Sequence, residues 1–236
     1  MTRIIAIDNI KGIAFILMVI QHLFYFYDVS YYYETKLSNN FIIEYSGTIA
    51  RSLFIFLAGC SLVLNYKKNK KKFIKNKINR SFEILIHAGM ISYITFLYYP
   101  EFFVRFGILH FIGIASLVCS FIAPYPKLYI FLIIFFLFYE PPKINTFFDT
   151  ITGASTNFNM MDWFPLFKWL PLMIIGMYFT ENNNIEKLKL LDLKILNSDN
   201  WLTYLGKNSL NLYTFHVIFL IIFFKIIRNN HLFINK

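Results

Sequence analysis

The sequence predicts an all-α protein, a polytopic membrane helix bundle of about seven transmembrane helices with the N-terminus cytoplasmic. Two observations carry that fold class. The chain of 236 residues is 57% hydrophobic and 20% aromatic but only 15% charged, a balance that an ordinary water-facing surface cannot use. Its apolar runs approach the roughly 20 residues that a helix needs to cross a hydrocarbon core of about 30 Å, whereas a barrel would show short alternating segments. The length allows one domain, residues 1–236.

Taken in order, the spans are read at Ile10 to Tyr27, Gly47 to Tyr66, Ser81 to Tyr99, Phe106 to Ala123, Lys127 to Tyr139, Phe164 to Phe179 and Asn208 to Ile227. The formal net charge is +10, and much of it crowds between Lys67 and Arg80. Between two membrane segments this run reads as a cytoplasmic loop, 67–80, obeying the positive-inside rule rather than as a nucleic-acid patch. That places residues 28–46, 100–105 and 140–163 outside. Pro124 with Pro126 makes a tight inner turn, and Pro141 with Pro142 ends the fifth span. Residues 185–197 alternate apolar and charged positions, as expected of a helix lying on the inner surface. Tyrosines at the segment edges read as an interfacial belt. Cys60 and Cys119 sit in apolar segments without ligand partners, so neither a zinc motif nor a disulfide is expected, and no metal is assigned. The first segment mimics a signal peptide, but no small-residue cleavage site follows His22, so it is expected to stay.

The polar residues inside these apolar segments carry the functional reading. An ionisable side chain in a bilayer core is expensive unless it is hydrated, paired or reactive. His22, His87, His110 and His216 all fall in spans. His87 follows Glu83 by four positions, which suits a simple pair on one helix face. His216 suits either an interhelical hydrogen bond or catalysis. Arg51 and Asp162 lie at span ends, where they either turn into the bundle or anchor in the headgroups. His22 and His110 are weighted toward chemistry. Lys11 and His22, about three turns apart, share one face of the first helix with about 16 Å between them. Small residues such as Gly12, Ala14, Ala58, Gly59, Gly107 and Gly113 allow close helix approach around a narrow tunnel.

The blocks KGIAFILMVIQH, RSLFIFLAGCSLVL, PEFFVRFGILHFIGIASL, DWFPLFKWLPLMIIGMYF and LTYLGKNSLNLYTFH, in this order, resemble the bacterial and archaeal domain related to heparan-α-glucosaminide N-acetyltransferase. The resemblance runs from Ile7 to about Val217. FGILH and the DWFPLFKWL block are its more specific parts. It implies a multi-pass acyltransferase of the cell membrane that takes an acyl group, usually acetyl, from cytoplasmic acetyl-CoA. The acceptor implied is a hydroxyl or amine of an extracytoplasmic or lipid-linked molecule, such as a glycan. By position, His22 matches the first-helix histidine of the family's basic-residue-then-histidine motif. Lys11 takes the basic position that implies coenzyme binding, where arginine is usual and would offer a phosphate a bidentate fork. A dimer is among the assemblies considered.

Acyl transfer from a thioester needs a base for the acceptor's proton, which a neutral histidine supplies, and a donor for the developing oxyanion. His22, His110 and Asp162 are therefore the catalytic candidates, and Arg51 the oxyanion or charge-balancing one. His216 is kept as a further catalytic candidate. An acyl-histidine intermediate and direct transfer in a ternary complex both fit. Two other classes are weighed. A proton-coupled transporter or channel could use the same intramembrane histidines and aspartate, but the repeated halves common in transporters are not seen. A haem-binding electron carrier would need an axial pair, for which His22 and His110 come nearest.

Overall fold

A computed structural model describes residues 4–30, 36–155, 158–182 and 198–234, the side chains of the last six excepted. The described chain is mostly helical and forms one bundle. The helices are α1 (Ile5–Ser30), α2 (Phe41–Lys68), α3 (Phe73–Tyr98), α4 (Ile108–Ile122) and α5 (Tyr129–Phe138). They continue with α6 (Thr146–Thr152), α7 (Leu166–Glu181), α8 (Trp201–Lys207) and α9 (Ser209–Ile234). The amphipathic reading of residues 185–197 lies outside the described residues.

Four of these helices, α1, α2, α3 and α9, are long and apolar enough to cross a membrane. The expected fourth and fifth spans correspond to one broken pair, α4 followed by the segment Pro126–Phe138, bent by 116°. The cause is local. Pro124 and Pro126 cannot donate backbone hydrogen bonds, and the turn is closed by the Tyr125 amide donating to the Ile122 carbonyl at 2.9 Å and by the Tyr129 hydroxyl donating to the Ala123 carbonyl at 2.9 Å. The expected sixth span is α7, of 16 residues. The basic connection is also shorter than expected: α2 continues to Lys68 and α3 starts at Phe73, so only residues 69–72 form the turn. The other basic residues of the run stand on helix ends, where lysine at the C-terminus of α2 suits the helix dipole.

Packing is tightest along two seams where glycines remove the side chain between helices. In the first, Gly59 of α2 lies on the Met173 carbonyl of α7, and Gly176 of α7 lies on the Phe56 carbonyl of α2. The Cys60 thiol donates to the Gly176 carbonyl at 3.3 Å in the same seam. In the second, Gly12 of α1 meets the backbone of Leu202, and Gly206 of α8 meets the backbone of Asp8. Asn9 fastens this seam: its amide donates to the Ser198 carbonyl at 3.0 Å and accepts from the Thr203 hydroxyl at 2.6 Å. The buried apolar core lies between α2, α4, α7 and α9, with Ile55, Leu62, Phe111, Met173, Met177 and Ile221 at its centre. Aromatic residues such as Phe82, Tyr93, Phe215 and Phe219 point outward, as a lipid-facing surface requires.

The seams make a direct prediction. Gly59→Ala forces a methyl into the α7 backbone and lowers stability by about 2 kcal/mol or more, as overpacking does. Gly89→Ala, where nothing lies within 4 Å, is neutral or stabilising. Thermal unfolding of the detergent-purified variants, followed by intrinsic fluorescence, measures both.

Candidate functional site

The candidate site lies between α1, α2, α3, α4 and α9, and a pairing of two non-helical segments builds its lip. After α3 ends, a turn closed by the Phe102 amide donating to the Tyr99 carbonyl at 3.2 Å leads into a non-helical stretch that meets residues 161–164. The Met161 amide donates to the Phe102 carbonyl at 2.7 Å, and the Phe164 amide donates to the Phe106 carbonyl at 2.9 Å. Phe106 and Trp163 form an isolated parallel bridge. This pairing carries Asp162 to the start of α4, where its Oδ2 accepts from the Ile108 amide at 3.3 Å. A carboxylate on a helix N-terminus is electrostatically favoured. Burial nevertheless pushes the Asp162 carboxyl up to about 6, against the Ile108 amide and the Arg51 charge, which pull it down.

His22, Arg51, His110 and Asp162 all line one cavity of about 250 Å³. The structure therefore brings four of the six expected residues together. A fifth, His216, stands immediately behind His22: His22 Nδ1 lies 2.9 Å from His216 Nε2, with the two rings stacked at 14°. His216 Nδ1 lies 3.1 Å from the Leu212 carbonyl. A carbonyl only accepts, so His216 carries its proton on Nδ1 and offers Nε2 as acceptor. His22 must then carry its proton on Nδ1, which leaves Nε2 of a cavity-lining ring with its lone pair. One backbone carbonyl thus sets the tautomer of both rings. Tyr213, one turn before His216, packs edge-on against both.

His110 is held differently. Its Nδ1 accepts from the Gly107 amide at 3.3 Å, so Nε2 carries the proton and faces the Ser92 hydroxyl at 3.4 Å. Ser92 in turn donates to the Val104 carbonyl at 2.6 Å. Both ring nitrogens thereby tie the extended segment 104–107 to α3, which also leaves no nitrogen for the axial haem pair considered above. Arg51 donates from Nε to the Gly47 carbonyl at 3.1 Å and from Nη2 to the Thr48 hydroxyl at 3.1 Å, so it is steered along its own helix.

The sixth residue, Lys11, lines a second cavity of about 230 Å³ together with Ser61, Asn65, Lys77 and Arg80. Its Nζ donates to the Ser61 hydroxyl at 3.0 Å. The two cavities share Ile108, Leu109 and Tyr213, so one wall separates the basic space from the histidine space. Lys77, Arg80 and Tyr213 were not expected here. Lys77 and Arg80 fall in the run that reads as a basic loop, although their spacing of three residues puts them on one helix face. Tyr213 had the same signal relative to His216. The expected His87–Glu83 pair is corrected. His87 Nδ1 meets the Thr214 hydroxyl of α9 at 2.9 Å, while Glu83 pairs with Arg80 at 2.8 Å. Thr214 sits in the bundle and accepts the imidazole there, whereas Glu83 is exposed beside a full positive charge.

No curated protein and no solved structure matches the chain. A family model does, described as heparan-alpha-glucosaminide N-acetyltransferase, catalytic, and it spans residues 3–218. That interval contains both cavities, the histidine pair and the basic end of the bundle, so the chain belongs to the heparan-alpha-glucosaminide N-acetyltransferase catalytic family of membrane acetyltransferases.

Proposed function

We propose that this protein moves an acetyl group from acetyl-CoA, entering at the basic end of the bundle, to a hydroxyl or amine of an extracytoplasmic or lipid-linked sugar. The observation that supports it best is the His22–His216 pair, tied through Leu212, in a cavity that adjoins a cationic one. The positive-inside rule puts the Lys67–Lys72 end, and with it the N-terminus, in the cytoplasm of a cell whose plasma membrane holds the bundle. The donor's negative charge is then met on the cytoplasmic side by the cations of the second cavity, Lys11 with Lys77 and Arg80, and the acceptor comes from the opposite side.

His22 Nε2 takes the acceptor's proton as the acceptor oxygen or nitrogen bonds to the acyl carbon. The carbon–sulfur bond breaks, and the proton passes to the leaving thiolate. His216 acts through His22: it holds the ring orientation and tautomer and stabilises the imidazolium that forms, the part a carboxylate plays in other triads. Arg51 is the positive group in the cavity for the developing oxyanion. His110 and Asp162 position the lip segments and the start of α4. The cavity's about 250 Å³ suits a single sugar residue better than an extended chain.

Transfer from labelled acetyl-CoA by the purified protein tests the reading. His22→Ala lowers kcat by about 10³-fold. His216→Asn, whose side-chain oxygen still accepts from His22, keeps most of the rate that His216→Leu loses, and neither changes KM for the donor. Full-rate transfer by His22→Ala, or ion flux in liposomes without any coenzyme A, would overturn it.

Asp162 gives an independent readout. Its folded value, about 6, lies above the ordinary 3.8, so the ionised form is disfavoured by folding. The protonated group's advantage is complete below about 3.8 and is lost as pH rises through about 6. The thermal midpoint of the wild type therefore falls relative to Asp162→Asn across that window, and the difference is constant at higher pH.

A further inference from the structure

Beyond the two cavities of the candidate site, a third of about 270 Å³ opens where α2 turns into α3. Lys68, Asn69 and Asn76 line it, and it shares Asn65, Lys77 and Arg80 with the Lys11 cavity. Three spaces therefore stand in series from the basic turn to His22. Their chemistry changes along the way: cations and amides at the turn, then apolar walls of Phe54, Ile84, Ile112 and Leu210, then the histidine cavity.

Lys77 lies at the junction of the outer two spaces, and it is the group that calls for a ligand. It is 9% exposed and has no ion pair among the described residues. The carboxylates that pair at this end are engaged elsewhere, Glu181 with Lys67 at 3.2 Å and Glu83 with Arg80 at 2.8 Å. A buried ammonium flanked by further cations is costly without an anion. The first turn of α3, a helix of 26 residues, adds backbone amides and the positive end of a dipole at the same place. Amide side chains of Asn69 and Asn76 complete a donor set suited to an anion of more than one oxygen.

We propose that this third cavity binds the 3′-phosphate of the donor's nucleotide, with Lys77 facing the phosphates and Lys68 and Asn76 facing the phosphomonoester. This makes it a specificity site by which the protein distinguishes coenzyme A thioesters from shorter pantetheine thioesters. The inference rests on the acyl-CoA reading given above. The order of the spaces matches the order of the donor: charged nucleotide at the turn, uncharged pantetheine arm along the apolar walls, thioester at the shared wall of Ile108, Leu109 and Tyr213. An anionic lipid headgroup offers the same phosphate chemistry, so the test separates the two sources.

The experiment compares kcat/KM for acetyl-CoA and for its 3′-dephospho analogue, using the full chain in nanodiscs of zwitterionic lipid. The wild type should prefer acetyl-CoA by about tenfold or more through KM. Lys68→Ala/Asn76→Ala should reduce that preference to about twofold, and Lys127→Ala, which removes a charge outside all three cavities, should retain it. A second readout needs no turnover: adenosine 3′,5′-bisphosphate should raise the thermal midpoint of the wild type, adenosine 5′-monophosphate should not, and the double variant should lose the effect. Equal use of both thioesters, an unchanged preference in the double variant, or protection by both nucleotides overturns the proposal. So does loss of the bisphosphate effect in nanodiscs containing phosphatidylglycerol, which would assign the site to lipid. If neither thioester is turned over but the bisphosphate still protects selectively, the acyl-transfer reading fails and the phosphate site stands.

Discussion

A polar side chain in a bilayer has few places to go except inward, and this bundle is arranged around that constraint. Its outward surface is dominated by apolar and aromatic residues such as phenylalanine, isoleucine, leucine and tyrosine, so every intramembrane histidine must find a partner across a helix boundary. His22 finds His216, His87 finds Thr214 and His110 finds Ser92. Each of these contacts joins different helices: α1 to α9, α3 to α9, and α4 to α3. The polar contacts that organise the chemistry are thus also ties that set how α1, α3, α4 and α9 stand against one another. The glycine seams do the complementary work by letting α2 and α7, and α1 and α8, approach to backbone contact.

Much of this was legible in the sequence because the bilayer limits the options so severely. Helical class followed from composition and run length, whereas for Arg51 and Asp162 the cost of charge in lipid left two outcomes open, an inward turn or a headgroup anchor, and both residues line the histidine cavity. The glycines at 12 and 59 were expected to permit close approach, and both lie in the seams. What escaped was whatever depends on partners far apart in the chain. Glu83 was the nearest carboxylate to His87 in sequence, but Thr214 is the neighbour in space. The role of His216 depends on α9 lying against α1, which puts His22 beside it. Lys77 and Arg80 were hidden inside a charge run whose orientation signal is so strong that it masks any second use. The broken α4–α5 pair escaped because hydropathy counts apolar residues and is blind to the direction in which the chain resumes after Pro124 and Pro126.

The lip shows how a short pairing can substitute for a helix in placing a functional group. Asp162 has no helix of its own; the two backbone bonds from Met161 and Phe164 to the 102–106 segment fix it. The same segment is tied to α3 through Ser92 and Thr95, whose hydroxyl accepts from the Val104 amide at 3.1 Å. The opening of the histidine cavity is therefore set by α3, α4 and the segment before α7 together, and not by any one of them.

The break after α4 also bears on the surrounding lipid. A helix of 15 residues rises about 22 Å, less than the about 30 Å of hydrocarbon it adjoins. Beyond the break the chain turns by 116°, and Phe131, Leu137 and Phe138 of α5 remain outward-facing and apolar. On this flank the protein offers the acyl chains a lower wall than on the flank of α2 or α9. Lipids there must shorten, tilt or splay to cover it, so the thickness of the host bilayer enters the energy of the fold on one side only.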